Sequence, residues 1–379
     1  MKKILLLAAA VLIGLLASEA KPAVAVAVAE SVPSSAAGMA AAEVSSGRLL
    51  YEHNGKRRLP MASTTKVLTA ITVIENCGIK EIVTVDPRAV GVEGSSIYLQ
   101  KGEKLSVEDL LFGLMLQSGN DAAEALAYYV SGGIGEFAAL MNETAQKAGA
   151  VDSHFVNPHG LHSPEHYTTA EDLAAISCFA MRNPDFHRIA GSKTHRTGWA
   201  NHEYGRVINN KNKILSLYKG GNGIKTGFTR AAGRCLVSSA YRNGMEVVCV
   251  VLNCGEMWRE CMDKMDLAFR EYNMREILPK YVERIDIDNA VDGFVLAETQ
   301  NGFAYPMKKN EEGRFSVVIT LPSALNAPLK EGAEIGSVEI YCDEQLLTSQ
   351  KIYTLSDVKE IRPKFFDYLN RVLKGWSLS

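Results

Sequence analysis

Residues 67–74, Val-Leu-Thr-Ala-Ile-Thr-Val-Ile, hold no charged side chain, and Gly78 follows them closely. Such a run with a glycine stop predicts a helix buried on more than one side. Ahead of it, the stretches 39–44 and 48–51 flank Ser45-Ser46-Gly47 and predict a β-hairpin. A short strand is expected at 81–85. Ser106-Val107-Glu108-Asp109 has the form of a capping box before the apolar run 110–116. A second apolar segment, 122–130, runs up to Gly132-Gly133, so the polar residues 117–121 form a break between two buried helices. Helices are also expected at 137–149 and 169–180, with the loop Asn157-Pro158-His159-Gly160-Leu161 between them. Strand 224–228 precedes the runs 233–241 and 247–252, which are joined by Asn243-Gly244, a strong hairpin signal. A helix at 258–273 is broken by Pro279. Beyond it the pattern changes to strand-like segments at 282–287, 293–297, 315–321, 335–341 and 345–354, separated by glycine and proline. The chain therefore reads as an α+β domain over residues 30–278 and a small all-β, sandwich-like domain over 279–358.

The two ends differ from this. Lys2-Lys3, an apolar core from Ile4 to Leu16 and small residues at Ala17-Ser18-Glu19-Ala20 read as a secretory signal peptide within residues 1–29. Cleavage after Ala20 or later in the Ala/Val tract fits equally, and an uncleaved anchor is the alternative. At the other end, residues 359–379 predict an amphipathic helix. Phe365, Phe366, Tyr368, Leu369, Val372, Leu373 and Trp376 share an arc of roughly 160°, opposite Asp367, Asn370, Arg371 and Lys374. Aromatic residues on one face and basic ones on the other suit the plane of a membrane surface; docking on the β domain is the other reading. The expected location is the outer face of the cytoplasmic membrane.

Composition narrows the field. With 47% hydrophobic and 22% charged residues and a net charge of -2, the chain has no basic block that would suit nucleic acid. Seven cysteines lack a Cys-x-x-Cys pair and mostly lie in apolar runs, so they read as small core residues rather than a disulfide framework. The eight histidines show no metal spacing, and no cofactor or metal is expected.

Three short motifs carry the chemistry. Ser63 and Lys66, one helical turn apart at the head of the 67–74 helix, share a face. There the free helix-start amides favour negative charge on the serine side. Ser118-Gly119-Asn120 sits on the polar break, and Lys225-Thr226-Gly227 on a strand, where glycine permits close approach of a ligand. Each is common alone: Ser63 could be a helix cap, Asn120-Asp121 could cap the next helix, and His159 reads as structural. In this order they match the motif set of penicillin-binding proteins and class A β-lactamases. The chain resembles the low-molecular-mass penicillin-binding proteins, the D-alanyl-D-alanine carboxypeptidases, over nearly everything after residue 29.

The resemblance implies a penicillin-binding/β-lactamase-like transpeptidase fold: an antiparallel sheet flanked by helices, plus a helical lobe. It also implies a reaction. Ser63 would attack the carbonyl between two D-alanines at the end of a peptidoglycan stem peptide, and β-lactams would inhibit by acylating it. Lys66 would take its proton, once burial and cationic neighbours lower its pKa. Ser118 would relay the proton to the leaving D-alanine, and Asn120 would orient Lys66 and bind the substrate amide. The amides of Ser63 and Phe228 would form the oxyanion hole, with Lys225, Thr226 and Arg259 holding the terminal carboxylate. Gly119 stands where class A β-lactamases have aspartate. Glu165 and Glu171 lack the context of a deacylating glutamate, so slow β-lactam hydrolysis is expected. Alternatives are a D,D-endopeptidase of the same fold and a non-catalytic penicillin-sensing or murein-binding protein.

Overall fold

The computed structural model describes residues 29–361 apart from Ser323; the signal-peptide expectation up to residue 28 and the terminal-helix expectation from residue 362 lie outside the described residues, while 359–361 are extended and not helical. Two compact units divide the chain between Met274 and Arg275, with Pro306–Lys308 grouped with the first unit. That division falls a few residues ahead of the expected break at 278, which is the end of a strand.

The first unit opens with β1 (Glu30–Ser31), β2 (Gly38–Glu43) and β3 (Leu49–His53), then α1 (Lys66–Asn76), preceded by a 3-10 turn at Ala62–Thr65. A small pair, β4 (Ile82–Thr84) and β5 (Lys104–Ser106), leads into α2 (Val107–Phe112), α3 (Asn120–Ser131) and α4 (Ile134–Lys147). Then follow α5 (Ala170–Met181), α6 (Pro184–Gly191), the hairpin β6 (Thr194–Thr197) and β7 (Arg206–Asn209), and α7 (Ile214–Leu217). The last elements are β8 (Gly221–Thr229), β9 (Gly233–Arg242), β10 (Met245–Leu252) and α8 (Met257–Glu271). The main sheet has the order β1-β3-β2-β10-β9-β8, which leaves β8 at an edge.

Strand periodicity explains why this sheet carries helices on both sides. Ala40 and Ala42 of β2, with Val248, Val250 and Leu252 of β10, enter one core with α1, α3 and α5. Their alternates, Met39 and Ala41, Val247, Cys249 and Val251, enter a second core with Cys261, Met265 and Ala268 of α8. A sheet buried on both faces reads as continuous apolar runs, as 39–44 and 247–252 do. Helix α1 is buried from Lys66 to Val73, and the capping box forms as expected, with the Asp109 amide donating to Ser106 Oγ at 3.0 Å. Six of the seven cysteines are buried, and all are thiols.

The hairpin 194–209 and helix α6 were not legible in the hydrophobic pattern. In the second unit the five expected strands appear as β12 (Val282–Asp286), β13 (Phe294–Thr299), β15 (Phe315–Thr320), β16 (Glu334–Cys342) and β17 (Gln345–Thr354). They form one sheet of order β12-β13-β17-β16-β15, while β11 (Asn273–Leu278) and β14 (Phe303–Met307) make a separate two-stranded sheet. The β14 strand is an addition, hidden by Pro306.

Candidate active site

Ser63 lies in the 3-10 turn rather than on α1 itself, and Ala62 before it is held at φ +51°. What fixes this turn is close packing from two sides. Gly160 (φ +87°) sits so near that a Cβ there would lie 1.9 Å from the Ala62 carbonyl oxygen. Gly227 of β8 also comes close from the sheet edge: a Cβ would fall 3.1 Å from the Ser63 amide nitrogen. Thr69 Oγ1 donates to the Pro158 carbonyl at 2.7 Å, tying the 157–161 loop to α1.

Lys66 begins α1 with its side chain fully buried. Its Nζ lies 2.7 Å from Asn120 Oδ1, 2.8 Å from the His159 carbonyl oxygen and 3.2 Å from Ser63 Oγ. Asn120 Oδ1 and the carbonyl oxygen can only accept, so they take two N–H bonds. In the neutral amine the lone pair is then left for the Ser63 hydroxyl proton. Burial holds the Lys66 pKa well below its ordinary value; the Lys225 and Lys211 charges push the same way and Asp121 opposes them. Burial thus favours the neutral, serine-directed form of the amine.

Asn120 is the first residue of α3, and Ser118 two residues earlier is in the left-handed region at φ +65°, ending a π-turn at Gly113–Gln117. That single conformer breaks the helix and turns Ser118 into the cavity. Asn120 Nδ2 donates to the Glu93 carbonyl at 2.5 Å, which fixes its oxygen toward Lys66. At Gly119 a Cβ would meet Asp121 Oδ1 at 2.8 Å, so a larger residue would have to displace that carboxylate. Lys225 is buried on β8, donates to the Thr226 carbonyl at 3.0 Å, and has its pKa lowered to about 7 by burial and by Lys211.

The cavity, of about 520 Å³, is lined by Ser63, Ser118, Thr226, Gly227 and Phe228, so the three motifs meet around one hydroxyl. Lys211, Arg234, Ser95, Met257 and Trp258 complete the lining. Arg259 does not join them. Its side chain is 79% exposed and lies 3.7 Å from Asp263. One turn into α8, it points along the helix surface, whereas Arg234 on β9 pairs in register with Phe228 and reaches the cavity. That register was readable from the 224–241 hairpin. Lys211, which donates to the Gln117 carbonyl at 3.0 Å, left no such signal in the polar run 209–213. Glu165 and Glu171 are not in the lining; the Glu171 amide bonds Gly55 instead.

Residues 24–255 match the family described as D-alanyl-D-alanine carboxypeptidase, and residues 272–360 match the C-terminal domain of penicillin-binding protein 5. The chain is 27% identical to D-alanyl-D-alanine carboxypeptidase DacF of Bacillus subtilis, over 88% of each chain. It is 30% identical to D-alanyl-D-alanine carboxypeptidase DacD of Escherichia coli, over 84% of this chain and 85% of that protein. Among solved structures, penicillin-binding protein 5 of Haemophilus influenzae superposes with a TM-score of 0.67 at 27% identity, covering 87% of this chain and 99% of that one. With the Ser63, Ser118 and Lys225 segments converging as described, the chain belongs to the D-alanyl-D-alanine carboxypeptidase family.

Proposed function

We propose that the protein removes the terminal D-alanine from peptidoglycan stem peptides through an acyl-enzyme on Ser63, and that penicillin acylates the same oxygen. The observation that carries this is the Lys66 amine, buried, flanked by two fixed acceptors and 3.2 Å from Ser63 Oγ. Ser63 attacks the carbonyl as Lys66 takes its proton, and the developing oxyanion meets the amides of Ser63 and Phe228. The close seat of Gly227 on the Ser63 amide supports that pairing. Ser118 passes the proton to the departing D-alanine, Asn120 holds Lys66 and the substrate amide, and Thr226 with the Lys225 charge receives the terminal carboxylate. Arg234 takes the place in this reading that Arg259 held from the sequence, because it lines the cavity.

We further propose that the enzyme works outside the cytoplasmic membrane, exported by residues 1–29 and held at the lipid surface by 359–379. Among the described residues no helix is long and apolar enough to cross a membrane. The deciding experiment treats separate samples of the purified protein with penicillin and with a pentapeptide ending in D-Ala-D-Ala. An adduct on Ser63 and release of free D-alanine, both lost in Ser63→Ala, are expected. An adduct without D-alanine release would leave a penicillin-sensing protein instead.

A further inference from the structure

Tyr98 is an anomaly in a segment that is otherwise tightly held. Its side chain is 73% exposed, yet its backbone sits in the left-handed region at φ +59°, which is costly for a bulky residue. The conformation is fixed from every side. The amides of Ile97 and Leu99 each donate to the Asp121 carboxylate at 3.1 Å, and Ser96 Oγ donates to it at 2.6 Å. The Tyr98 amide donates to Ser96 Oγ at 2.8 Å, and its carbonyl accepts from Arg206 at 3.0 Å. Arg206 is itself buried in a pair with Glu103, both contacts at 2.7 Å. Ile97 and Leu99 are buried, so the strained residue between them could have turned inward only by losing this register. An outlier held this firmly points to a use.

Its position says which use. Asp121, the anchor, follows Asn120 directly, and the Asn120 amide donates to the Ser95 carbonyl at 2.7 Å. Ser95 lines the catalytic cavity, so Tyr98 stands three residues, at most about 11 Å of chain, beyond its rim. The loop joining β6 to β7 stands beside it: Gln100 Nε2 donates to the Ala200 carbonyl at 3.0 Å and Asn201 Nδ2 to Gln100 Oε1 at 2.7 Å. That loop carries Tyr204, 78% exposed, and Trp199 stacked on His202 at 3.8 Å. On the acyl side of the scissile bond a pentapeptide has four residues, which extend at most about 14 Å. A stem of that reach is long enough to bring the sugar that bears it to a ring standing within about 11 Å of chain from the rim. Exposed aromatic faces with neighbouring amides suit stacking on a neutral sugar ring, one face apolar and the edge polar.

We propose that Tyr98, supported by Tyr204, is a stacking platform for the glycan that carries the stem peptide, so that the enzyme prefers glycan-linked pentapeptide over free peptide. The platform rests on the reaction proposed above. The test measures kcat and KM for D-alanine release from a free pentapeptide and from the same pentapeptide on its N-acetylated disaccharide. Tyr98→Asn removes the ring and keeps the backbone, because asparagine accepts the left-handed region; Tyr98→Trp keeps a ring. Wild type and Tyr98→Trp should favour the disaccharide substrate by roughly 5–10-fold in kcat/KM, carried by KM, the scale of one stacked ring. Tyr98→Asn should lose that preference with free-peptide turnover and penicillin acylation unchanged. No preference in the wild type, or an equal loss on both substrates in Tyr98→Asn, overturns the platform. If the wild type releases D-alanine from neither, the reaction itself fails and the platform with it.

Discussion

The proposed reaction turns on two lysines, and both are placed where a lysine is least comfortable. Lys225 is 2% exposed and its pKa is lowered to about 7, against about 10.4 for the unfolded side chain. Between those values the unfolded chain holds a proton that the folded chain has lost. Stability therefore rises with pH across that window and levels off below pH 7. Lys225→Met removes the cation at similar volume, so the variant should be more stable than wild type at pH 7, by about 1–4 kcal/mol. The gap should close towards pH 10, and the relief felt by Lys66 acts in the same direction. Urea midpoints at the two pH values check this; a gap that widens with pH would show the lysine is not buried neutral. Such a gain would come with weaker carboxylate recognition, the usual opposition between a stable site and a working one.

At the level of elements, the site depends on contacts that only glycine allows. The 157–161 loop supplies the His159 carbonyl to Lys66 and presses Gly160 on Ala62. In Gly160→Ala the added methyl meets the backbone at 1.9 Å from a positive φ, and neither partner can step aside. Penicillin acylation should slow more than tenfold with a fall in Tm of several degrees, about 1–2 kcal/mol coming from the φ alone. Unchanged acylation would mean that the loop is not what sets the Ser63 turn. The missing side chain at Gly119 and the absence of Glu165 and Glu171 from the cavity lining bear on the second half of the reaction. With no carboxylate among the described residues that line the cavity, nitrocefin should acylate Ser63 and turn over slowly; fast turnover would demand a base from elsewhere. Much of this was readable beforehand. Continuous apolar runs marked β2, β9 and β10, Asn243-Gly244 marked the β9–β10 hairpin, and three motifs in order marked the cavity. What stayed hidden has a common cause. Lys211 and Ser95 act through tertiary approach, not local pattern, and the 194–209 hairpin has an exposed, polar face that mutes its period.

Taken as a whole, the molecule separates the chemistry from whatever holds it in place. Every residue lining the cavity precedes Met274, and the second unit has its own small cores around Val338 and Ile352, and around Val295 and Val358. Residues 359–361 are tied into that unit: the Ile361 amide donates to the Asn289 carbonyl at 2.7 Å, and the Lys359 carbonyl accepts from Val291 at 2.9 Å. A truncation meant to remove only the proposed anchor should therefore keep Ile361 and delete 362–379. The deleted segment holds the seven aromatic and aliphatic residues of the apolar face and its basic opposite face, the pattern that lies flat in a headgroup layer. The shortened protein should move from the membrane pellet to the soluble fraction, and its rate of acylation by penicillin should not change, because no cavity residue is touched. If the shortened protein still pellets, then the leading apolar segment, left uncleaved, is the anchor, and the terminal helix has another task. A change in acylation rate without release would instead tie the tail to the catalytic unit and end the separation argued here.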